Sequence, residues 1–202
     1  QVTDTRGNLR SDILYSCEAG GMGIYLRKGG VSYVMVKEEK GNKEIAEIKN
    51  GIEHSLYSHT PITNLLLVQR IDMEFLGGNI NSIVKAENAS EGDFNYYLSH
   101  CSQGITGVNA YKKITYKDIY PNIDILFYGG RSGLKYDIVI RPGGDPDDIK
   151  LKYTGADGIE ILNTKYKVLS SVGEIEEEMP KVYQNINGKI VDVKAKYKLK
   201  EN

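Results

Sequence analysis

Alternation of apolar and polar residues between Leu65 and Phe75 is the feature that most restricts how this chain can fold. The odd positions carry Leu, Leu, Gln, Ile, Met and Phe, whereas Arg70, Asp72 and Glu74 hold even positions. Successive side chains of a β-strand point to opposite faces, so a period of two is typical of a strand. The segment therefore predicts a half-buried strand with one face in a core and the other in water.

Two pairs of strand-like segments are joined by residues that favour tight hairpins. Residues 23–27 and 31–36 flank Lys28-Gly29-Gly30, and residues 182–186 and 189–193 flank Asn187-Gly188. Glycine and asparagine tolerate the positive φ angles that two-residue hairpin turns require, and Asn-Gly is the preferred pair for a type I′ turn. We therefore predict a β-hairpin at each place.

Further strand-like runs indicate that the whole chain is β-rich. They are separated by glycine- and proline-rich turn signals, and they lie at 94–98, 111–116, 123–128, 134–140, 149–153, 159–162 and 168–171. Short strands at this spacing favour an all-β fold of the antiparallel β-sandwich type. We expect a single β-rich domain over 1–202, either as one body or as two packed lobes, 1–86 and 87–202. The stretch 37–61 is too charged to be buried and predicts a surface loop or a short helix.

Charge and hydropathy restrict the partners. The chain has 26 Lys and Arg against 27 Asp and Glu, a formal net charge of −1, which does not favour nucleic acid or an anionic membrane. No apolar run approaches the roughly 18 residues that a membrane-spanning helix needs. The expected partner is a protein, at the cell surface or in other domains of the same chain, with a glycan as the alternative.

The three histidines and two cysteines do not predict a catalytic site. His54 and His59 are five residues apart, which is wrong for two ligands on one helical or strand face, so loop positions are preferred. His100 adjoins Cys101, but sequence neighbours in a strand point apart, which argues against a nucleophile and its base. Cys17 and Cys101 could pair in an oxidising compartment, and the sequence leaves this open.

Two acidic clusters and one glycine-rich segment are interpreted as structural. Asp145-Pro146-Asp147-Asp148 lacks the order of a calcium-binding loop and is ordinary turn chemistry. Glu174, with Glu176, Glu177 and Glu178, forms an acidic strip that could supply a carboxylate pair for glycoside hydrolysis, but such runs are usually solvated. Gly20-Gly21-Met22-Gly23 precedes a strand and so lacks the helix N-terminus that holds a phosphate. We expect no catalytic residue, metal site or cofactor, and the binding residues stay unassigned.

An ordered series of motifs in the second half of the chain carries a resemblance to a known family. The motifs lie at Asp118-Ile119-Tyr120-Pro121-Asn122-Ile123-Asp124, Leu134–Ile140, Pro142-Gly143-Gly144-Asp145-Pro146, Tyr153–Gly158 and Pro180–Gly188. In this order they resemble an uncharacterised β-rich domain near the mature N-terminus of large secreted bacterial proteins. Those proteins carry seven-bladed propeller (SBBP) repeats, PKD-like or immunoglobulin-like modules, and type IX sorting or gliding-motility C-terminal domains.

The resemblance implies an extracellular or outer-surface location and a role as one module of a larger secreted protein. It implies no catalytic residues. The leading hypothesis is a non-enzymatic binding or structural module that mediates assembly, adhesion or display. The alternatives are a carbohydrate-binding or carbohydrate-active β-sandwich domain, suggested by the abundant tyrosines, and a component that docks on the outer-membrane type IX secretion or gliding machinery.

Overall fold

The chain is built from antiparallel β-strands. The computed structural model describes residues 8, 10–39, 65–97, 103–130 and 133–200, and within these ranges it contains sixteen strands and one 3-10 turn, Pro146–Asp148. The strands are β1 (Ile13–Ala19), β2 (Met22–Arg27), β3 (Gly30–Glu39), β4 (Leu65–Phe75), β5 (Ile83–Ala89), β6 (Phe94–Tyr96), β7 (Ile105–Val108), β8 (Tyr111–Tyr120), β9 (Ile123–Gly130), β10 (Gly133–Ile140), β11 (Leu151–Thr154), β12 (Gly158–Ile161), β13 (Lys165–Leu169), β14 (Glu174–Glu178), β15 (Val182–Ile186) and β16 (Lys189–Val193). The all-β prediction is confirmed.

The described residues group into two compact units. One comprises residues within 1–36 and 70–154, and the other comprises residues within 37–69 and 155–202. These units differ from the lobes 1–86 and 87–202 considered from the sequence. The physical reason is that β5 crosses that boundary and pairs with β8 in the register Ala86↔Ile114, which ties the two sides of position 86 into one sheet.

The first unit is a β-sandwich. One sheet has the strand order β1-β2-β3-β4-β11, and the other has the order β10-β9-β8-β5. The first sheet supplies buried side chains such as Val31, Ile71 and Phe75, and the second supplies Tyr116 and Phe127. The ring of Phe75 lies 5.9 Å from that of Tyr116 and 6.4 Å from that of Phe127, between centroids. The inner faces of the two sheets thus share one aromatic and aliphatic core, which is the antiparallel sandwich that the sequence predicts.

The alternation that predicts β4 holds along part of the strand. Ile71 and Met73 are fully buried, whereas Leu65 is 55% exposed. The predicted strand is confirmed over 65–75, but its core face begins only at Ile71. The period of two fixes which residues share a face, and it does not fix how far along the strand another sheet covers that face.

Both predicted hairpin turns are present. Arg27 pairs with Gly30, so Lys28 and Gly29 form the two-residue loop between β2 and β3. Asn187 and Gly188, with φ of 52° and 80°, form the turn between β15 and β16, as a type I′ turn requires. Gly30 has a second role, because a Cβ atom there would lie 2.4 Å from the carbonyl oxygen of Met73 on the neighbouring strand.

The second unit contains a three-stranded meander, β12-β13-β14, and the hairpin β15-β16. Tyr166, Val168 and Ile175 are buried in the meander. The run predicted at 168–171 belongs to β13, which starts at Lys165, and the acidic strip at 174–178 is strand β14. Glu174, Glu176 and Glu178 are exposed, in agreement with the expected solvated run, and lysines of β13 lie opposite this strand.

Three strands were not predicted from the sequence, and one predicted segment lies mostly outside the described residues. Strands β1, β5 and β7 were not predicted from the sequence, and each contains few buried side chains. The charged loop or short helix expected near 37–61 lies mostly outside the described residues. Residues 37–39 continue β3.

Candidate functional site

A polar cleft lies on the outer face of the five-stranded sheet of the first unit. Leu26, Val31 and Ile71 point into the core, so the residues beside them in sequence point outward. In this way β2 presents Arg27, β3 presents Ser32, and β4 presents Arg70 and Asp72 on one face. The outer face of an antiparallel sheet is usually solvated, yet Ser32 is only 3% exposed.

We call this feature the arginine cleft. It has a volume of about 180 Å³, and the residues that line it are Arg10, Ile13, Tyr25, Arg27, Ser32, Val34 and Arg70. Three arginine residues therefore line one small cavity. An arginine side chain carries five N–H donors and stays protonated in proteins, so the lining combines fixed positive charge with many donors.

Asp72 links three residues that line the arginine cleft, although it is not itself part of the lining. Its Oδ1 accepts hydrogen bonds from Ser32 Oγ at 2.5 Å and from Arg70 Nε at 2.9 Å. Burial raises the pKa of Asp72, but the hydrogen bonds from Arg70 and Ser32 and the charges of Arg27 and Arg70 outweigh burial and lower it below its usual value. The carboxylate therefore remains ionised at neutral pH and fixes the positions of its donors.

Arg27 is the least satisfied of the three arginines. Its side chain is 18% exposed, and its Nη2 lies 3.4 Å from Asp72 Oδ1, which is an ion-pair contact and not a hydrogen bond. Its Nε and Nη2 atoms are buried and have no hydrogen-bond partner among the residues that the structure describes. A buried donor without an acceptor costs about 1–3 kcal/mol. Arg27 thus carries two buried donors that make no hydrogen bond with the described residues and have almost no accessible surface.

Arg10 forms another wall of the cleft. Its Nε and Nη2 atoms donate to the two carboxylate oxygens of Asp12 at 2.8 and 2.7 Å. This two-pronged hydrogen bonding is the main cause that lowers the pKa of Asp12. Arg10, Arg27 and Arg70 together carry three positive charges, and Asp12 and Asp72 carry two negative ones. These five side chains together carry one net positive charge.

A second ionic cluster lies in the motif that carries the family resemblance, and it stabilises a corner of the fold. Asp124 is 2% exposed and accepts from Lys117 Nζ at 2.7 Å and from the Asp118 amide at 2.8 Å. Arg141 Nη1 lies 2.6 Å from Oδ2, the same oxygen that Lys117 contacts. Burial acts to raise the pKa of Asp124, but these donors lower it to about 2. The corner itself is a tight turn between β8 and β9: Asn122 has a φ of 59°, and Tyr120 pairs with Ile123 across the turn.

The residues weighed as catalytic or metal-binding candidates are not brought into the arginine cleft. His54, His59, His100 and Cys101 lie outside the described residues, and Cys17 is an exposed, free cysteine. Asp145 accepts a hydrogen bond from the Asp147 amide at 2.9 Å and caps the 3-10 turn, which explains this acidic run without an ion. Within the described ranges, no three His, Cys, Asp or Glu side chains are grouped so that they could share a metal ion.

The acidic strip is held by lysines of the neighbouring strand. Lys167 Nζ lies 2.8 Å from both Glu174 Oε1 and Glu176 Oε1, and Lys165 Nζ lies 2.7 Å from Glu176 Oε1. Hydrogen bonds from the two lysines lower the pKa of Glu176 to about 2 and raise that of Lys167. A glycosidase needs one carboxyl group with a raised pKa. The environment of Glu176 acts in the opposite direction.

The arginine cleft was not found from the sequence. Arg70 and Asp72 were correctly placed on the water-facing side of β4. Arg27 and Ser32, however, lie far from them in sequence, with 40 residues between Ser32 and Asp72. Only the pairing of strands brings these groups together. An arginine next to a hairpin turn, with a serine just after it, is too common a pattern to signal a site.

Comparison with known proteins gives a family and no function. The family model described as "Domain of unknown function (DUF7948)" matches residues 3–202. No curated protein and no solved structure matches the chain. The described residues include no helix that is both long and apolar enough to cross a membrane.

Proposed function

The chain belongs to the DUF7948 family, a family of unknown function. From the geometry we propose that this domain is a non-enzymatic binding or structural module. In this role it mediates assembly, adhesion or display within a larger extracellular or outer-surface protein. The observation that carries the proposal is the arginine cleft, a small cavity lined by three arginine residues on the outer face of a packed sandwich.

The ionisable groups of the cleft favour binding over proton transfer. A general acid or base works best with a pKa near the operating pH. Arginine does not deprotonate in proteins, and the pKa of Asp72 is lowered away from neutrality. The cleft therefore offers a fixed pattern of charge and donors, which holds a ligand and does not exchange protons with it.

The extracellular location rests on the motifs, not on the cleft. The series from Asp118 to Gly188 resembles the domain that precedes propeller, PKD-like and sorting modules in secreted proteins. Under this proposal the sandwich holds the cleft at the cell surface, where protein partners or other domains of the same chain reach it. Cell fractionation of the source organism, with an antibody against this domain, tests the location, and a purely cytoplasmic signal would contradict it.

The binding role is tested by affinity capture with the purified domain. The bait is immobilised and exposed to detergent-solubilised envelope and to secreted polysaccharide, and bound material is identified by mass spectrometry and sugar analysis. We expect a specific protein that is released by excess soluble domain and by raised salt, because attraction between exposed charges is screened. Turnover of a substrate by the purified domain, or no captured material that soluble domain displaces, would contradict the proposal.

A carbohydrate-binding role is the second candidate, and one surface favours it. Phe94, Tyr96 and Tyr97 are 50%, 48% and 77% exposed on and beside β6. Exposed aromatic rings offer faces on which sugar rings stack. A glycan array tests this role with the wild type and with Tyr97→Ala, and with Tyr183→Ala as a matched control, since Tyr183 is 62% exposed elsewhere. Signals lost only in Tyr97→Ala would favour the sugar role, and an empty array would remove it.

A further inference from the structure

We infer that residues 181–200, the lysine segment, bind an anionic lipid surface. The lysines contact the phosphate-bearing headgroups, and aliphatic side chains enter the boundary between headgroups and acyl chains. The lysine segment belongs to the second unit, so this inference goes beyond the proposed binding role and does not depend on the arginine cleft. Three properties of the lysine segment carry it: local charge, unpaired lysines and exposed aliphatic side chains.

Charge is unevenly distributed along the chain. Residues 181–202 hold six lysines and two acidic residues, a formal charge of +4, whereas the other 180 residues hold 20 basic and 25 acidic residues, a formal charge of −5. The net charge of −1, which by itself does not favour an anionic membrane, thus averages over two parts of opposite sign. Clusters of four to eight basic residues are typical of segments that bind anionic lipids.

The lysines of the segment are available to a ligand. Six of them are exposed and form no ion pair with a described residue: Lys181, Lys189, Lys194, Lys196, Lys198 and Lys200. Lys165 and Lys167 of the same unit differ, because Glu174 and Glu176 already neutralise them. The lysine segment therefore presents positive charge that the described part of the fold does not use.

The hairpin β15-β16 adds exposed aliphatic side chains to this charge. Val182 pairs with Val193, and alternate residues of a strand share a face, so Val182, Ile186, Val191 and Val193 lie on one face. Ile186 is 50% exposed, and Ile190 on the opposite face is 62% exposed. Among the described residues, no third strand extends this hairpin. An isolated two-stranded hairpin is marginally stable in water, so an apolar environment would stabilise this one.

The stretch after the hairpin is held against the meander. Residues 194–200 alternate lysine with Ala195, Tyr197 and Leu199. The ring of Tyr197 lies 4.9 Å from that of Tyr166, edge to face, and Tyr166 is buried. Leu199 is exposed beside this contact. The aromatic contact thus anchors a stretch whose lysines stay at the surface of the unit.

Charge together with aliphatic exposure favours a lipid surface over a polyanion in solution. A nucleic acid or an acidic polysaccharide would neutralise the lysines, but neither offers an apolar medium to Ile186, Ile190 and Leu199. Amphipathic segments that lie on membranes combine basic residues with apolar side chains that enter the headgroup boundary by about 5–10 Å. A phosphate-bearing lipid layer therefore matches both properties of the lysine segment.

Cosedimentation of the 202-residue chain with vesicles tests the inference. Vesicles of phosphatidylglycerol and phosphatidylcholine in equal amounts are compared with vesicles of phosphatidylcholine alone, at 0.1 M and 0.5 M salt. We expect binding to the mixed vesicles at 0.1 M salt, at least tenfold weaker binding at 0.5 M because salt screens exposed charges, and no binding to the neutral vesicles. Inorganic phosphate at the same phosphate concentration should not release the chain.

Two multiple variants separate the lysine segment from general charge. The first changes Lys194, Lys196, Lys198 and Lys200 to Gln, and the matched control changes four exposed lysines of the first unit, Lys28, Lys85, Lys112 and Lys150, to Gln. Each basic side chain near an anionic surface contributes about fivefold in affinity. We expect binding to the mixed vesicles to weaken at least fiftyfold in the first variant and at most about threefold in the control.

A third variant separates lipid from polyanion. Ile190→Thr combined with Leu199→Gln removes aliphatic surface at exposed positions and leaves every charge in place. We expect at least fivefold weaker binding to the mixed vesicles, and unchanged binding to dextran sulfate, a polyanion without an apolar phase.

Five results would overturn the inference. They are no binding to the mixed vesicles, equal binding to neutral vesicles, equal losses in the two lysine variants, release by inorganic phosphate, and vesicle binding that Ile190→Thr with Leu199→Gln leaves unchanged. If a variant does not fold, the comparison of mixed with neutral vesicles and the salt dependence of the wild type decide. The proposed binding role is tested separately, because capture of a protein partner needs no vesicles.

Discussion

Replacing Asp124 by asparagine should destabilise the first unit by about 2–3 kcal/mol at pH 7. The magnitude comes from the folded-state pKa of about 2 against a usual value of 3.8, a difference of roughly 1.8 units at 1.36 kcal/mol each. Removing one partner of a fully buried ion pair costs about 3–5 kcal/mol. The estimate from the pKa applies here, and not the larger cost of a fully buried ion pair. The side chains of Lys117 and Arg141 are 40% and 36% exposed, so water can solvate them once the carboxylate is lost.

The pH dependence provides an independent test of the same reasoning. A carboxyl group whose pKa is lowered on folding contributes stability that is fully present above its unfolded pKa, near 3.9, and is lost as the pH falls through the folded pKa. The wild type should therefore exceed Asp124→Asn by the full amount at pH 5–7. The difference should shrink between about pH 4 and pH 2, where the wild-type carboxylate becomes protonated.

Urea unfolding at a series of pH values measures both quantities. A shift in midpoint at unchanged slope reports the change in stability. Asp192→Asn is the matched control, because Asp192 is an exposed aspartate, and its effect should stay within about 0.5 kcal/mol. A loss below about 0.5 kcal/mol for Asp124→Asn, or a difference from wild type that does not change between pH 5 and pH 2, would refute this account of the corner.

Two further substitutions test the packing of the sandwich. Gly30→Ala should destabilise the fold by more than about 3 kcal/mol or prevent folding, because its Cβ atom would lie 2.4 Å from a backbone carbonyl. Gly129→Ala is the control and should be tolerated, because nothing lies within 4 Å of its new Cβ atom. Thermal unfolding compares the two variants, and similar melting temperatures would contradict the close approach of Gly30 to the Met73 carbonyl. Tyr116→Phe should cost about 1–3 kcal/mol in urea unfolding, because it removes the hydrogen bond from Tyr116 Oη to the Arg27 carbonyl at 2.8 Å and keeps the ring in place; an unchanged midpoint would show that water replaces the donor.

The sequence by itself determined the elements that depend on local backbone chemistry. Asn187-Gly188 and Lys28-Gly29 form turns where they were predicted, because Asn187, Gly188 and Gly29 tolerate the positive φ that these turns use and need no distant contact for it. The all-β class followed from the same kind of signal, repeated along the chain. The alternation in β4 identified Arg70 and Asp72 as outward-facing, which is correct.

Tertiary structure decided the rest. The two units and the pairing of β5 with β8 depend on contacts between segments far apart in sequence, and periodicity within one strand does not encode its neighbour. The arginine cleft has the same origin. Arg27, Ser32 and Asp72 become a site only because β2, β3 and β4 lie side by side, and because the core face of those strands forces these polar side chains onto the opposite face of the sheet.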